Sequence, residues 1–422
     1  MSARKELDVL ISHQFRHDYG KLVSVLTGIF GAANLSLAED IVQDTFLEAM
    51  KNWSDKGVPD NPSGWLYRVA KNKTINVLKR ETRLQDISEE QLIEPTEEHD
   101  LDILFDEKAI RDEQLKMMFV CCHPSLSVEA QTSLILKTLC GFSIDEIARA
   151  FLSKSETITK RLMRSRKVIR EVGVNFQLPE RKELENRLDA VLKSIYLLYN
   201  EGYSASRGKS LIKKELCEEA IRLVDFLCSN DITNTSKTHA LLSLMYFHFS
   251  RFDARMNSNE QIIPLEQQDR RLWNAEHIAL GFYHLSKVTE DKNLSTFHIE
   301  ATIAACHASA EDHSTTDWER IVDLYTYLYE ISPSPIVLLN KTVAVSYAHS
   351  VQQALDLIDN PQLTEQLNTY YLYHATKADF FIRENNHEKA ISALEKAMDL
   401  TKIPSEKSLI KGRLNFCLEQ IQ

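Results

Sequence analysis

The chain has 422 residues, 43% of them hydrophobic, with only 11 glycines, 10 prolines and a formal net charge of −11. That apolar content is enough for real cores in about two to four domains, and scarce Gly and Pro with helical periodicity almost throughout predict an all-α fold. The seven cysteines, at 121, 122, 140, 217, 228, 306 and 417, are scattered and odd in number, which excludes a regular disulfide framework and predicts reduced, mostly buried thiols. No apolar run reaches membrane-span length and MSARKELDVL lacks a signal-peptide core, so a cytoplasmic protein without membrane contact is expected.

An acidic total argues against tight binding of free duplex DNA, but the charge is segregated. Residues 1–175 hold 24 Lys/Arg and 27 Asp/Glu. Within them, 68–83 carry six basic residues against one acidic, 81–113 carry three against thirteen, and 151–170 carry seven against one. Two basic patches flanking an acidic linker would hold free DNA weakly, because the total field is repulsive, unless another body supplied the affinity.

In chain order, residues 8–83 read as one small helical domain. Ser36 with Glu39 three residues later predicts a capping box opening AEDIVQDTFLEAMKNW. Ile41, Val42, Thr45, Phe46 and Ala49 give its buried face. Asp40, Asp44 and Glu48 sit four apart on another face, either solvated surface or a docking face for a basic or polar partner. The segment 54–64, SDKGVPDNPSG, is a loop by its Gly, Pro, Asp and Asn content. The helix GWLYRVAKNKTINVLKR follows. In it Leu66, Val69, Ala70, Ile75 and Leu78 can pack, and Arg68, Lys71, Lys73, Lys79 and Arg80 are cationic. Asn72 and Asn76 can bond to bases. Trp65 and Tyr67 at its start are either core anchors or stacking groups for single-stranded bases. An acidic linker is expected over 84–107, then a second helical domain over 108–175.

The stretch GFSIDEIARAFLSKSETITKRLMRSRKVIR, 141–170, predicts a helix-turn-helix. Gly141 ends an apolar helix, and Ser143 with Glu146 forms a capping box for the next. Ile144, Ile147, Ala148 and Phe151 make its buried stripe, and Ser153, Lys154 and Ser155 a polar turn. The second helix carries Ile158, Leu162, Ser165 and Ile169 on one face, with Lys160, Arg164 and Lys167 opposite, where they can reach phosphates or guanine edges. Cys121, Cys122 and His123 have no second ligand pair at zinc spacing, so no metal site is expected there.

Residues 180–422 form a large helical extension. In YLYHATKADFFIRENNHEKAISALEKAMDL, residues Ala378, Phe381, Ala390, Leu394 and Ala397 fall at the spacing of a 34-residue helical-hairpin repeat, with Asn385 and Asn386 at the turn. Elsewhere the repeat is degenerate, which predicts a compact helical array. The segments 196–206, 265–274, 315–325 and 333–345 mix aromatics with polar groups. Their Asn200, Glu201, Tyr203, Asp269, Arg270, Asp317, Trp318 and Asn340 read as hydrogen-bonded corners between helices, or as a concave surface for a protein or small ligand. His298 and His307 show no metal spacing. No nucleophile–base pairing can be read, so neither an enzyme nor a cofactor is expected.

AEDIVQDTFLEA, then NPSGWLYRVAKNKTINVLKR, then an acidic linker, then the helix-turn-helix together resemble a bacterial RNA polymerase sigma factor. The resemblance covers about residues 8–172 and is to the extracytoplasmic-function group of the sigma-70 family, which keeps the second and fourth conserved regions. It implies that Asp40, Gln43, Asp44 and Glu48 dock on core RNA polymerase and that the 54–64 loop captures a flipped base of the −10 element. It implies further that Trp65, Arg68, Lys71, Asn72, Asn76, Lys79 and Arg80 read the −10 element, and that Ser155, Glu156, Thr159, Lys160, Arg161, Arg164 and Lys167 read the −35 element. Gly64 precedes a single Trp65 where housekeeping members carry two adjacent tryptophans. The extension is similar to the TPR-like C-terminal region of one subgroup, where it would regulate activity in cis. Core RNA polymerase and promoter DNA are then the partners, and the polymerase performs the chemistry. The alternative is a helix-turn-helix transcription regulator with a ligand- or partner-sensing domain.

Overall fold

The computed structural model describes residues 2–85, 105–151, 153–203, 210–257, 262–288 and 294–421, with side chains described outside 2–13, 16–17, 81–85, 210–213 and 362. The described residues form nineteen α-helices, and their only β feature is an isolated antiparallel bridge between Met256 and Ile262. The all-α expectation holds. None of these helices is long and apolar enough to cross a membrane. Most of the linker expected over 84–107 lies outside the described residues. Packing divides the chain into Met1–Leu198 and Tyr199–Gln422.

The first unit is built on α1 (Ser2–Phe30), against which α2 (Leu35–Lys56), α3 (Pro62–Gln85) and α4 (Glu107–Cys121) pack. Tyr19, Leu22, Val23, Val25 and Leu26 of α1 are buried. So are Ile41, Val42, Thr45, Phe46 and Ala49 of α2, as their spacing predicted. α5 (Val128–Leu134) runs into a π-helical turn, Ile135–Leu139, that lies against α1. A Cβ on Gly20 would sit 2.2 Å from the Leu139 carbonyl oxygen, so this backbone approach requires glycine.

α6 (Ile144–Ala150) and α7 (Ser155–Val172) follow, joined by a short turn. The Ser143–Glu146 capping box forms in full: Ser143 N–H donates to Glu146 Oε2 at 2.8 Å and Glu146 N–H to Ser143 Oγ at 3.2 Å. α7 ends at Gly173, whose φ of +68° is left-handed, while Val174 N–H reaches back to the Ile169 carbonyl at 3.1 Å. The first part of α8 (Arg181–Tyr203) still belongs to this unit. Leu188, Val191, Leu192 and Ile195 are buried, Arg187 donates to the Phe119 carbonyl at 2.9 Å, and Ser194 donates to Gln131 Oε1 at 2.6 Å. The division between units therefore falls inside α8, beyond the Pro-marked break at 176–190.

One expected cap does not form. α2 starts at Leu35 after Asn34, and no side chain caps it. The Glu39 carboxylate, expected to cap the helix with Ser36, is instead buried and receives Arg166 Nη2 of α7 at 2.6 Å. A partner 127 residues away takes the carboxylate instead of the local backbone: the guanidinium brings a full opposite charge as well as a hydrogen bond. The pair is incompletely satisfied, since Glu39 Oε1 and Arg166 Nε are both buried without hydrogen-bond partners. Burial pushes the Glu39 carboxyl above the usual carboxylate range, against the pull of Arg166 and Lys137.

The second unit continues with α9 (Ser210–Cys228), α10 (Ser236–Ser250), α11 (Ala275–Ser286), α12 (Thr296–Ser309), α13 (Trp318–Ile331) and α14 (Pro335–Ala348). It closes with α15 (Val351–Ile358), α16 (Pro361–Leu367), α17 (Tyr371–Arg383), α18 (His387–Leu400) and α19 (Pro404–Ile421). Successive helices pack as neighbours, most extensively α17 on α18 and α10 on α11. Ala378, Ala390, Leu394 and Ala397 are buried in one cluster with Phe381 against it, and Asn385 turns the hairpin with a left-handed φ of 55°. All seven cysteines are buried, and none of them forms a disulfide. Burial pushes the Cys121 thiol up to about 12.

The Glu39–Arg166 contact makes a stability prediction. Because the folded-state pKa of Glu39 is raised, its contribution is fully present below the ordinary carboxylate pKa and is lost as pH rises through the folded value. Arg166→Met removes the guanidinium partner found among the described residues and should cost about 3–5 kcal/mol near neutral pH, where Glu39 is left either as a buried unpaired charge or forced to take up a proton, and less near pH 5. Adding Glu39→Leu should recover most of that loss. Hydrogen exchange of α2 and α7 amides measures both; a single variant as protected as wild type at both pH values would contradict the contact.

Candidate nucleic-acid and partner interface

Helical periodicity places the α2 residues outside the core on one arc. Asp40, Gln43, Asp44 and Glu48 are all exposed there, and so are Leu47 (54%), Met50 (46%) and Lys51. The two apolar groups beside the acids escape a charge-based reading, yet Leu47 stands three residues after Asp44, on the same face. An acidic face with exposed apolar side chains suits a basic protein surface with an apolar centre. Glu48 is tied to Lys73 of α3 at 3.0 Å, which joins this face to the next helix.

The loop into α3 is anchored from below. Gly57, at a φ of +82°, ends α2 with its N–H on the Trp53 carbonyl at 3.1 Å. Asn61 Oδ1 accepts from Gly64 N–H at 2.9 Å. Ser63 Oγ donates to Asp18 Oδ2 at 2.7 Å and Tyr67 OH to Asp18 Oδ1 at 3.1 Å. Asp18 is fully buried in α1 and also accepts from Gln14. Burial, and then the Asp18 charge, push the Tyr67 hydroxyl up, so it stays a donor. Sequence reasoning missed Asp18: its partners on α3 lie 45 and 49 residues away and no periodicity connects them. Trp65 is half-buried, its ring edge-on to the buried Trp53 at 5.5 Å, so one side of it is core.

Beyond that anchor α3 exposes Arg68, Asn72, Asn76, Lys79 and Arg80, mostly four apart along one strip. Lys71 is half-buried beside the strip. Two amides between cations can bond base edges while the cations hold phosphates.

α7 turns Ile158, Leu162, Ser165 and Ile169 inward, all buried, as their spacing predicted. Glu156, Lys160, Arg164 and Lys167 are exposed. Lys160 pairs with Glu156 at 2.6 Å and Lys167 with Glu171 at 3.5 Å. Such surface pairs are worth little and yield readily to a phosphate. The other three expected readers are partly engaged within the unit. Arg161 donates to Ser133 Oγ at 3.2 Å, Thr159 to the Ser155 carbonyl at 2.9 Å, and Ser155 to Asp145 of α6. Lys160, Arg161 and Arg164 line a groove of about 580 Å³ that Ser127, Glu129 and Thr157 complete.

In the second unit the mixed polar and aromatic residues occupy corners between helices. Asp269 and Asp317 cap helical turns through the N–H groups of Arg271 and Arg320. Arg270 donates to the carbonyls of His307 and Ala310 and to Thr316, and stacks over Trp273 at 4.7 Å. Trp318 packs on Tyr347 at 4.6 Å and donates to the His313 carbonyl at 3.2 Å. Tyr203 lies beneath the Arg255 guanidinium at 3.7 Å and stacks on His248 at 5.2 Å. Asn200 and Glu201 are half-buried near the end of α8, and Asn340 is exposed on α14. Arg270 and Trp318 thus border one corner, meeting through His307, which is 5.2 Å from the Trp318 ring.

Residues 15–84 match the sigma-70 region 2 family, and residues 187–289 match a family of unknown function, DUF6596. The first span holds the exposed strips of α2 and α3; the second runs from α8 to just past α11. An uncharacterized protein of Rhizobium meliloti is 34% identical over 384 residues, covering 90% of this chain and 90% of that one.

Proposed function

Since the chain belongs to the sigma-70 family, we propose that it is a promoter-specificity factor of the extracytoplasmic-function group whose C-terminal extension regulates it in cis. Core RNA polymerase docks on the α2 face of Asp40, Gln43, Asp44 and Glu48, with Leu47 and Met50 as its apolar contacts. The α3 strip reads the −10 element, and the segment expected as a 54–64 loop, which is helical up to Lys56 and again from Pro62 and so is open only over 57–61, captures a flipped base beside it, held by Asp18 through Ser63 and Tyr67. The α6–α7 pair acts as a helix-turn-helix whose Lys160, Arg164 and Lys167 reach the −35 element. The protein works in the cytoplasm and carries out no covalent step of its own; it positions the polymerase and holds opened DNA. The TPR-like extension, through corners such as that of Arg270 and Trp318, receives a protein or small ligand.

The observation that carries this reading is the pairing of two exposed strips within the matched region. An acidic α2 face and a cationic, amide-bearing α3 face are joined at Glu48–Lys73. A regulator that used only a helix-turn-helix would need neither. The acidic total charge also fits a factor whose hold on DNA comes largely from a bound polymerase.

Two measurements test it. Asp40→Lys with Asp44→Lys leaves the Glu48–Lys73 pair intact and touches only exposed side chains. It should weaken binding to core polymerase at least about tenfold in a competition assay, with stability changed by no more than about 0.5 kcal/mol. Undiminished core affinity would reject the docking face. Lys160→Ala and Arg164→Ala should each weaken promoter complexes by about 1–3 kcal/mol where a base contact is lost, and by less with a shallower salt dependence for a phosphate contact. Wild-type promoter occupancy in both variants at limiting DNA would remove α7 from the reading surface.

A further inference from the structure

We propose that Cys228, His239 and His284 form a binding site for a divalent transition metal of the zinc class, with one coordination position open to the adjoining cavity. Cys228 is the last residue of α9, His239 lies in the first turn of α10, and His284 lies near the end of α11. Their candidate ligand atoms, one thiol sulfur and two imidazole nitrogens, all lie within 4.8 Å of one another. Three helices thus deliver one soft and two borderline donors to a single point, the donor set that zinc and its neighbours prefer.

The hydrogen bonds around the histidines prepare them for a metal. His239 Nε2 is 2.9 Å from Asn234 Oδ1, which can only accept from it, so the proton sits on Nε2 and the Nδ1 lone pair faces inward. His239 Nδ1 and His284 Nδ1 are 2.8 Å apart. His284 therefore donates to His239 in the metal-free form. A tetrahedral ion with metal–nitrogen bonds of about 2.0–2.1 Å holds two such nitrogens roughly 3.3 Å apart, so modest rotations of the two rings admit it. On binding, the His284 proton moves from Nδ1 to Nε2, the Cys228 thiol releases its proton to solvent, and three metal–ligand bonds form.

The cavity beside the cluster, about 650 Å³, is lined by Asp225, Ser229, Tyr246, Tyr283 and Lys287 as well as the three ligands. Asp225 stands one turn before Cys228 on α9. An ion held by three protein ligands leaves its fourth position to water or to a small anion arriving through this cavity, beside the Lys287 ammonium. The site lies wholly within residues 187–289, the span matched by the family of unknown function, and does not depend on the promoter-specificity reading. The sequence hides it because the ligands are spread over three helices, with the two histidines 45 residues apart.

The test is a Co²⁺ titration of the reduced, chelator-treated full chain. One equivalent should bind, with a thiolate-to-cobalt charge-transfer band that excess Zn²⁺ removes. Cys228→Ser should abolish the band, and His284→Gln should weaken Co²⁺ binding at least tenfold, with circular dichroism confirming that each variant is folded. X-ray absorption of the wild-type zinc form, which needs no variant, should show one sulfur and two imidazole ligands. The proposal is overturned if the wild type binds no stoichiometric Co²⁺ or Zn²⁺, if an equal band persists in a folded Cys228→Ser variant, or if absorption shows no sulfur ligand.

Discussion

The approach of α1 to the π-helical turn at 135–139 is the contact on which the first unit depends. Gly20 lets the α1 backbone come down on the Leu139 carbonyl, and any side chain there would hold the two elements apart. With that approach made, Tyr19 packs beneath Lys137, whose ammonium is 5.4 Å from the ring. Glu39 comes within reach of Arg166 on α7. The helices of the sigma-70 region 2 match and the α6–α7 pair are thereby parts of one compact body rather than two beads on a tether. Its internal faces are covered, while the α2 acids, the α3 strip and the α7 cations stay on the surface.

The polar part of this packing is poorly satisfied. A buried carboxylate and guanidinium share one short bond and each leaves an atom unpaired. Apolar replacements would hold the same elements together at least as well, because desolvation offsets most of the attraction between buried charges. Arg166 sits on the same helix as Lys160 and Arg164.

Local pattern made much of this legible. The period of 3.6 residues gave the buried stripe of α7 residue by residue, and the Ser143–Glu146 box was readable because both partners lie within one turn. The same rule failed at Ser36–Glu39, where a distant arginine outbids the backbone. Asp18, which fixes the start of α3, and the Cys228–His239–His284 cluster depend on segments far apart in the chain that only the fold brings together. In the extension, Asp269 and Asp317 read either as hydrogen-bonded corners between helices or as part of a partner surface. Both have structural work as caps, and Arg270 brackets three backbone and side-chain acceptors. Composition alone cannot separate a polar residue that closes a corner from one that meets a ligand, since both demand fixed hydrogen bonds.

Whether this chain directs a polymerase to promoters is measured most directly by transcription with purified core RNA polymerase over a promoter library, with and without the full-length protein. Initiation that depends on the protein, from sites sharing a −10 and a −35 element at constant spacing, is the expected result. Core polymerase that binds the protein yet starts nowhere new, or start sites that share only a −35-type element and still require another sigma factor, would contradict it.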